Sequence, residues 1–365
     1  MICGAKVVII SEINNNFAEN FDENFKKRRN MTKIVTLGNA LTDVLTRIDS
    51  DESLNALGLL KGGMTLISAE QFEKLSRALS TLPTKMATGG SAANTALCIA
   101  HLTDANGQHR VQSEYIGKIN HTDRFGQHFA DTFHHAGVHL HAVPSQDEAS
   151  GVCTAFVSPD GERTMATYLG AAASLQPEDL SLDMFEGAAI VHIEGYLVQN
   201  HDLILRAIHL AHKAGALVSL DMASYNIVEA DHDFFAEHLL PQTDIVFANE
   251  EEAAAWQAGL PEESLASLAR LCNVAVVKVG ARGAWAQKGE ERVFVAAEKV
   301  VNVVDTTAAG DFFAAGFLYA FALGKSQERC LYCGAVCASR VIQVMGTALT
   351  DEMWKEVIEM LNKED

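Results

Sequence analysis

The chain has 365 residues, of which 48 % are hydrophobic, and its 28 lysines and arginines against 47 aspartates and glutamates give a formal charge of −19. This composition is too apolar for a disordered chain. It is also too acidic to coat nucleic acid or an anionic membrane without a local basic patch. A soluble enzyme of the cytoplasm is the starting expectation.

Neither a membrane span nor a secretory signal is predicted. The longest stretch without charged or strongly polar side chains runs from Phe312 to Gly324, 13 residues, and a spanning helix needs about 18. The seven cysteines have no framework spacing, which is typical of reduced thiols in a reducing compartment. We therefore expect a cytoplasmic protein with no membrane and no nucleic acid among its partners.

Residues 1–30 differ in character from the rest of the chain. An Asn-, Asp- and Glu-rich run from Asn14 to Asn24 is followed by the basic cluster Lys26–Arg29. This pattern predicts a poorly ordered extension, so a truncation that begins at Met31 is expected to remain active. The working domain is expected to span residues 31–365.

From Lys33 onward, short apolar strand patterns alternate with amphipathic helical patterns. Runs of three to five nearly all apolar residues are typical of central strands that are covered on both faces. They occur at Ile34–Leu37, Ala189–Ile193, Leu217–Leu220, Ile245–Phe247 and Val274–Val277. The pattern predicts an α/β fold with a doubly wound, largely parallel central sheet flanked by helices, which places ligands at the carboxyl ends of the strands.

Two segments, about 45–68 and about 142–174, interrupt this alternation. Both have the pattern of hairpin-like β structure, and the second contains the turn residues Pro159-Asp160-Gly161. A small β-sheet attached to an α/β core is most simply a lid over the ligand site.

Polar residues follow the first strand and a glycine pair. Asp43 ends the string Gly38-Asn39-Ala40-Leu41-Thr42-Asp43, and Asn94 ends the string Gly89-Gly90-Ser91-Ala92-Ala93-Asn94. A carboxylate and an amide together offer the acceptors and donors that vicinal hydroxyls require. Two glycines before a helix are also a common turn, and Asp43 could equally be a solvated strand-end residue.

A second acidic motif, Asn249-Glu250-Glu251-Glu252, follows the strand pattern Ile245–Phe247. Asn249 and Glu252 are three residues apart, so they share a face on a first helical turn. There they could organise the water shell of a magnesium ion, which keeps most of its waters in proteins. The alternative is a helix start that is rich in acids because they suit the helix dipole.

The densest signal is the run from Asp305 to Phe317. We expect a strand at Val300–Val304, a loop of small residues, and then a long apolar helix. Amides at the start of that helix would attract anionic oxygens, and Asp311 beside them could accept a proton from a hydroxyl during phosphoryl transfer. The alternative is that Asp311 only caps the helix. Because alanine tolerates positive φ poorly, Ala308 is expected to adopt a right-handed helical or extended conformation.

At this point the chain resembles the PfkB-type, ribokinase-like carbohydrate kinases. The run Asp305–Asp311 resembles their D-T-x-G-A-G-D signature, with Ala308 in place of the first glycine. The glycine pair with Asn94, the Asn249–Glu252 motif and the run Lys278–Gly283 resemble three further motifs of the family, with Lys278 where many relatives have threonine. The resemblance extends from Thr32 to the C-terminus, whereas no Walker loop and no G-x-G-x-x-G turn occurs.

The resemblance implies a kinase that uses ATP and Mg²⁺ to phosphorylate a hydroxymethyl group. It implies that Asp311 is the general base and that the amides of Ala309, Gly310 and Asp311 form an anion hole. The remaining implied roles are acceptor binding by Asp43, Gly89, Gly90 and Asn94, ATP binding by Lys278, Gly280 and Gly283, and magnesium binding through water by Asn249 and Glu252. Related kinases often need potassium near the Asp305 loop and some dimerise through their lids, but the sequence does not decide whether this chain needs K⁺, or whether it is a monomer or a lid-mediated homodimer.

The acceptor is a nucleoside or a free sugar. Ser91 stands where ribokinase proper has lysine, and the strings Gly38–Asp43, Gly89–Ser91 and Gly161–Thr164 resemble the adenosine-kinase branch of the family. A base could be held by Phe156, Met165 and Tyr168. Alternating positions of this kind are equally typical of the packed face of a small sheet. An adenosine-like nucleoside is therefore favoured over ribose, fructose or a keto-deoxy sugar acid. Ala308 also leaves open a relative that binds such ligands without turnover.

Overall fold

The computed structural model describes residues 32–80, 82–160 and 162–363. The extension predicted at residues 1–30, and Gly161 of the predicted turn, lie outside the described residues. The strands, in chain order, are β1 Thr32–Leu37, β2 Leu41–Arg47, β3 Met64–Leu66, β4 Thr84–Gly89, β5 Val111–Ile119, β6 His139–Pro144, β7 Gly151–Val157, β8 Arg163–Tyr168, β9 Ala188–Glu194, β10 Leu217–Asp221, β11 Ile245–Asn249, β12 Val274–Lys278, β13 Gly283–Lys288 and β14 Glu291–Ala296.

Most of the α-helices follow one strand and precede another along the chain. In chain order they are α1 Glu52–Ala56, α2 Ala69–Leu79, α3 Ser91–His101, α4 Arg124–His135, α5 His201–Lys213, α6 Tyr225–Ala230, α7 His232–Phe234, α8 Glu250–Trp256, α9 Pro261–Leu268, α10 Ala309–Ala322, α11 Gln327–Val341 and α12 Asp351–Asn362. None of the helices in the described part of the chain is long and apolar enough to cross a membrane.

Nine strands form the large sheet, in the order β14-β13-β12-β11-β10-β9-β1-β5-β6. Pairing is parallel from β6 through to β12, and β13 and β14 are antiparallel additions. Every residue of β9, in the centre of the sheet, is buried. Helices cover both faces of this sheet, which confirms the predicted doubly wound α/β architecture.

Successive residues of the central strands contribute to two different hydrophobic cores. Val191 belongs to the core that includes α5, whereas its neighbour Ile190 belongs to the core that includes α10 and α11. Because side chains alternate along a strand, a continuous apolar run is what two covered faces require. Parallel strands also bring their carboxyl ends to the same edge, where the candidate site lies.

Five strands form a second sheet in the order β3-β8-β7-β2-β4, called here the small sheet. Its strands differ in extent from the segments predicted for a lid. β2 begins at Leu41, and β4, Thr84–Gly89, lies outside both segments. The second segment begins within β6, which belongs to the large sheet. One face of the small sheet packs against α1 and α2 through Leu54, Phe72 and other apolar side chains.

The prediction of a strand at Val300–Val304 was wrong, because the segment between β14 and α10 has no regular secondary structure. A strand needs a partner for its backbone groups. Here the amides of Val304 and Asp305 both donate to the carbonyl of Ile342, and no neighbouring strand pairs with the segment among the described residues. The side chain of Val301 is fully exposed. A β-branched apolar run is therefore insufficient evidence for a strand.

Candidate active site

Helix α10 begins at Ala309 in the middle of the Asp305–Asp311 run, called here the signature loop. Ala308 precedes the helix with φ +61° and ψ +8°, so the expectation of a right-handed or extended conformation was wrong. A left-handed residue followed by right-handed helical residues turns successive amides toward one concavity, the arrangement known as an anion-binding nest. The geometry of the loop thus overrides a local preference of about 1–2 kcal/mol against the left-handed conformation of alanine.

Two of the three amides predicted for the anion hole are free to bind a ligand. The amides of Gly310 and Asp311 donate to no acceptor in the part of the chain that the structure describes, whereas the Ala309 amide donates to the carbonyl of Thr306 at 3.2 Å. A Cβ atom placed on Gly310 would lie 3.2 Å from Nζ of Lys278. An ammonium group therefore lies beside the free amides, and together they form an electropositive pocket.

The carboxylate of Asp311 opens into the same region and is held by helix α3. Ser91 Oγ donates to Oδ1 at 2.7 Å, and Asn94 Nδ2 donates to Oδ2 at 2.9 Å. Burial raises the pKa of Asp311 to about 6, and the donors Asn94 and Ser91 oppose the rise. Both described hydrogen bonds of this side chain go to α3, so it does not cap its own helix. A carboxylate in this state can accept a proton from an alcohol near neutral pH.

Helix α3 presents further polar groups to the same place. Thr95 Oγ1 lies 3.2 Å from the Asp311 carbonyl oxygen. Asn94 is buried, and its Oδ1 has no hydrogen-bond partner among the described residues. A buried acceptor without a donor is unfavourable unless a ligand or water supplies one. The amide of Asn94 thus has one group bonded to Asp311 and one group available.

Asp43 lies on β2, where its neighbours explain the glycine pair. A Cβ atom on Gly89 would lie 2.2 Å from Asp43 Oδ1, so no larger residue fits beside that carboxylate. Gly90 has φ +95°, and a Cβ there would lie 2.3 Å from the Asn39 carbonyl oxygen. Burial raises the pKa of Asp43 to about 7, with the charge of Arg163 opposing the rise and that of Asp311 adding to it.

Glu194, at the end of β9, is a buried carboxylate that the sequence did not single out. Its Oε1 accepts from the amide and the side chain of Asn39 at 2.8 and 2.7 Å, and its Oε2 accepts from the amide of Ala92 at 3.1 Å. It therefore ties the turn after β1 to the start of α3. Burial raises the pKa of Glu194 to about 7, against the effect of these donors. The available signal was an acid directly after the predicted strand Ala189–Ile193.

Lys278, at the end of β12, pairs with Asp221 at 3.0 Å. Burial lowers the pKa of Lys278, but the charges of Asp221 and Glu252 outweigh burial and hold that pKa above its usual value. The side chain is therefore a fixed cation beside Gly310.

Asn249 and Glu252 form a reciprocal capping box at the start of α8. The Asn249 amide donates to Glu252 Oε2 at 2.7 Å, and the Glu252 amide donates to Asn249 Oδ1 at 2.9 Å. Burial and the charge of Asp221 raise the pKa of Glu252 to about 7. No group of three or more His, Cys, Asp or Glu side chains in the described residues could hold a metal ion directly. The carboxylates of Asp221, Glu252 and Asp311 face one ammonium, an excess of negative charge that fits a hydrated cation.

Gly280 and Gly283 lie at the corner between β12 and β13. Gly283 has φ +133°, and a Cβ there would lie 2.1 Å from the Val295 carbonyl oxygen. Close contact with β14 is therefore sufficient to require glycine at position 283. Between them, Arg282 pairs with Glu250 of α8. These contacts define the edge of the cleft next to Lys278.

Arg163, on β8, connects the small sheet to the signature loop and was not among the predicted site residues. Its Nη1 donates to Asp305 Oδ2 at 2.6 Å and to Thr307 Oγ1 at 3.2 Å. The same oxygen of Asp305 accepts from the amide of Gly346 at 2.8 Å. Three distant segments of the chain thus meet at one carboxylate.

The side chains proposed to hold a base do not share one face of the small sheet. Tyr168 stacks on Phe72 of α2 with ring centroids 4.6 Å apart, and Phe156 is buried in the same core. Met165 is three positions from Tyr168, and its cross-strand partner Ala155 is next to Phe156, so Met165 faces the opposite side of the sheet, with Arg163. The prediction for Phe156 and Tyr168 was therefore wrong, because alternation along the strand turns both rings toward the helices.

A cleft of about 570 Å³ adjoins the site at Asn39. Its lining includes Tyr196 and Leu197, which follow Glu194, and Leu169 and Ala172, which follow β8. Tyr196 is 37 % exposed, so an aromatic ring is available on the cleft wall next to the carboxylate that holds Asn39.

Comparison with known proteins identifies relatives of this arrangement. The family model described as pfkB family carbohydrate kinase matches residues 63–354. Ribokinase of Arabidopsis thaliana is 28 % identical over 311 residues, which cover 81 % of this chain and 77 % of the relative. Two solved structures are each 34 % identical with a TM-score of 0.78 and cover 90 % of this chain. They are adenosine kinase from Sinorhizobium meliloti, 99 % covered, and a probable sugar kinase protein from Rhizobium etli CFN 42, 98 % covered.

Proposed function

Because the chain belongs to the pfkB family of carbohydrate kinases, and is thus a kinase of sugars or nucleosides, we propose that it transfers the γ-phosphate of ATP to the hydroxymethyl group of an adenosine-like ribonucleoside, with Asp311 as general base. One observation supports this above all. The Asp311 carboxylate is held by Ser91 and Asn94 beside the free amides of Gly310 and Asp311.

The chemistry of the pocket is that of proton removal coupled to charge stabilisation. With a pKa of about 6, Asp311 is mainly ionised at pH 7.5 and can still take a proton from the attacking hydroxyl. The free amides and the Lys278 ammonium would stabilise negative charge on the transferring phosphoryl group. A negative side chain next to an anion pocket repels a bound anion, so this arrangement is better suited to transfer than to storage of phosphate.

The acceptor would be oriented by Asn94 and Asp43. The unpartnered Oδ1 of Asn94 can accept from a ribose hydroxyl, and Asp43 offers a carboxylate across the same space. Gly89 and Gly90 leave room for the Asp43 carboxylate and the Asn39 carbonyl, and their backbone would line the acceptor site. The Arg163–Asp305 pair supports a small sheet that closes over the acceptor and excludes water.

ATP would lie along the edge formed by Lys278, Gly280 and Gly283, with its γ-phosphate at the helix start. A magnesium ion would neutralise phosphate charge there, held through water by Asn249 and Glu252, which fit because the local carboxylates outnumber the ammonium. A requirement for K⁺ is tested by measuring turnover with and without this ion. We further propose that the protein is a monomer, because α1 and α2 already cover one face of the small sheet. The acidic composition and the lack of framework spacing among its cysteines favour the cytoplasm.

The cleft beside Asn39 supports a nucleoside rather than a free sugar. It presents the ring of Tyr196 together with the side-chain amides of Asn39 and Gln199, groups that stack on and hydrogen-bond to a heteroaromatic base. A free pentose bound at Asp43 and Asn94 would leave this cleft unused.

The test is an acceptor panel. The protein is incubated with ATP and Mg²⁺, with and without K⁺, and with adenosine, inosine, ribose, fructose or 2-keto-3-deoxygluconate, while ADP release is recorded. We expect the highest kcat/KM with a nucleoside. Turnover confined to a sugar would overturn the nucleoside proposal, and saturable ligand binding without ADP for every acceptor would indicate a non-catalytic relative.

A further inference from the structure

Three polar residues on one face of helix α3 contact the same residue of helix α10. Ser91, Asn94 and Thr95 are spaced i, i+3 and i+4, so their side chains lie together on the helix surface. Ser91 and Asn94 donate to the two carboxylate oxygens of Asp311, and Thr95 Oγ1 contacts its carbonyl oxygen. The first turn of α3 thus fixes both the side chain and the backbone of Asp311.

Ser91 makes the shorter of the two carboxylate contacts, at 2.7 Å. A hydroxyl that donates to an ionised oxygen makes a charge-assisted bond, and this bond weakens when the carboxylate becomes protonated. Each carboxylate oxygen has two lone pairs, so Oδ1 can accept from Ser91 and still accept from a second hydroxyl. Ser91 therefore restrains the rotation of the carboxylate without occupying all of its acceptor sites.

Ser91 itself is held firmly. It is the first residue of α3, directly after Gly90, whose φ of +95° and close approach to the Asn39 carbonyl require glycine. Its own carbonyl accepts from Thr95 Oγ1 at 3.1 Å, and the next amide, that of Ala92, is bound by Glu194. The hydroxyl is thus presented to Asp311 from a rigid support.

We propose that Ser91 is a positioning residue for phosphoryl transfer: its hydroxyl holds the carboxylate of Asp311 ionised and aligned with the acceptor hydroxyl. This inference rests on the proposed role of Asp311 as the base. It goes beyond that role because it assigns a function in the reaction to Ser91, a residue that is not among those proposed to bind the acceptor or ATP.

The charged neighbours of Asp311 make the role measurable. Asp43 on β2, Glu194 on β9 and Asp221 on β10 disfavour a further negative charge when they are ionised, while the ammonium of Lys278 on β12 favours it. The thiol of Cys98 also faces this region from α3. Among the described residues, Ser91 and Asn94 are the direct side-chain donors to the carboxylate, so loss of Ser91 removes one of the two side-chain hydrogen bonds that stabilise its ionised form.

The experiment measures kcat/KM for the preferred acceptor from pH 5 to pH 9 in the wild type and in Ser91→Ala, Ser91→Cys, Ser91→Thr and Thr95→Val. We expect the acid limb of Ser91→Ala to move upward by about one pH unit. This corresponds to a loss of about tenfold at low pH, a smaller loss above pH 8 and a KM for the acceptor within about threefold of wild type. Ser91→Cys keeps the volume of the side chain but has a weak donor, and it should shift in the same direction.

Two controls separate positioning from packing. Ser91→Thr retains the hydroxyl and should restore the acid limb. Thr95→Val removes a hydroxyl that contacts the carbonyls of Ser91 and Asp311 but neither carboxylate oxygen of Asp311, so it should leave the position of that limb unchanged. An equal loss at every pH, or an unshifted acid limb in both Ser91→Ala and Ser91→Cys, would overturn the proposal. Asp311→Asn in the same assay tests the premise: if that variant retains near wild-type turnover, the assignment of the base has failed, independently of Ser91.

Discussion

Arg163 and Asp305 are separated by 142 residues in the chain and form an ion pair with a distance of 2.6 Å between Nη1 and Oδ2. The pair joins the small sheet to the signature loop. Both side chains are largely shielded from solvent, at 20 % and 8 % relative exposure, so the bond is less weakened by solvent and salt than a surface pair. It is the direct connection between the structure that would cover the acceptor and the loop that would bind phosphate.

Substitution of Arg163 by alanine should therefore impair closure of the small sheet. We expect kcat/KM to fall by about tenfold or more, because charge-assisted contacts to Asp305 and Thr307 are lost. Lys61→Ala is the matched control, since Lys61 pairs with Asp51 at 2.7 Å within the same part of the molecule and is partly exposed. Steady-state kinetics in which the two variants are equally affected would contradict a specific role for Arg163.

Asp311→Asn should lower kcat by about 10² or more while acceptor affinity stays similar. The amide preserves the shape of the side chain and cannot accept the proton. Single-turnover kinetics would measure the chemical step, and calorimetric titration with the acceptor would measure affinity. Near wild-type turnover in this variant would refute the assignment of the base.

Ala308→Gly should stabilise the protein by roughly 0.5–1 kcal/mol, because relief of the left-handed strain exceeds the added entropy of the unfolded chain. Ala223, with φ +67°, offers a second site of the same kind. The control is Ala214→Gly, where φ is −77° and the substitution should destabilise. Urea unfolding of the three variants gives the comparison, and a loss of stability in Ala308→Gly would show that its backbone is unstrained.

Asp43→Asn should increase the free energy of unfolding in a pH-dependent way. Burial raises the pKa of Asp43 to about 7, so the folded protein binds this proton more tightly than the unfolded chain and stability falls as pH rises from about 4 to 7. The gain from asparagine should grow over that range and level off above it, at roughly 2–4 kcal/mol. Urea unfolding at pH 4.5, 6 and 8 measures it. A gain that is independent of pH would argue against a raised pKa.

Glu252→Gln should raise the Mg²⁺ concentration required for half-maximal activity by about tenfold. Glutamine can still accept the amide of Asn249 in the capping box. Because burial raises the pKa of Glu252 to about 7, loss of its charge should not lower the melting temperature. The neighbouring exposed residue provides the control Glu251→Gln, for which we expect the magnesium dependence of wild type. An unchanged requirement in Glu252→Gln would exclude Glu252 from the metal site.

Patterns that are local in sequence predicted the core of this molecule well. Five apolar runs gave the central strands, and the glycine pair and the signature loop led to groups that the structure brings together, such as Asn94 and Asp311. These predictions succeeded because a strand buried on two faces and the start of a helix each have a recognisable sequence pattern within about ten residues.

Features that depend on distant partners were not predicted. The loop imposes the conformation of Ala308 against the preference of alanine itself. The sheet face on which the Tyr168 ring lies depends on strand register, because a shift of one residue moves a side chain to the opposite face. β4 is largely polar and exposed and left no apolar signal. Glu194 and Arg163 gain their importance from partners 155 and 142 residues away.

The apolar core beneath the small sheet has a mechanical consequence. Of its buried members in the described residues, only Phe125 comes from the helices of the large sheet; the others belong to the small sheet, α1, α2 and their connections. The small sheet, α1 and α2 therefore share a hydrophobic core of their own, which can stay closed when they move together relative to the large sheet. Calorimetry of ligand binding should then register a modest change in heat capacity, set by the ligand's own surface and the rim of the cleft.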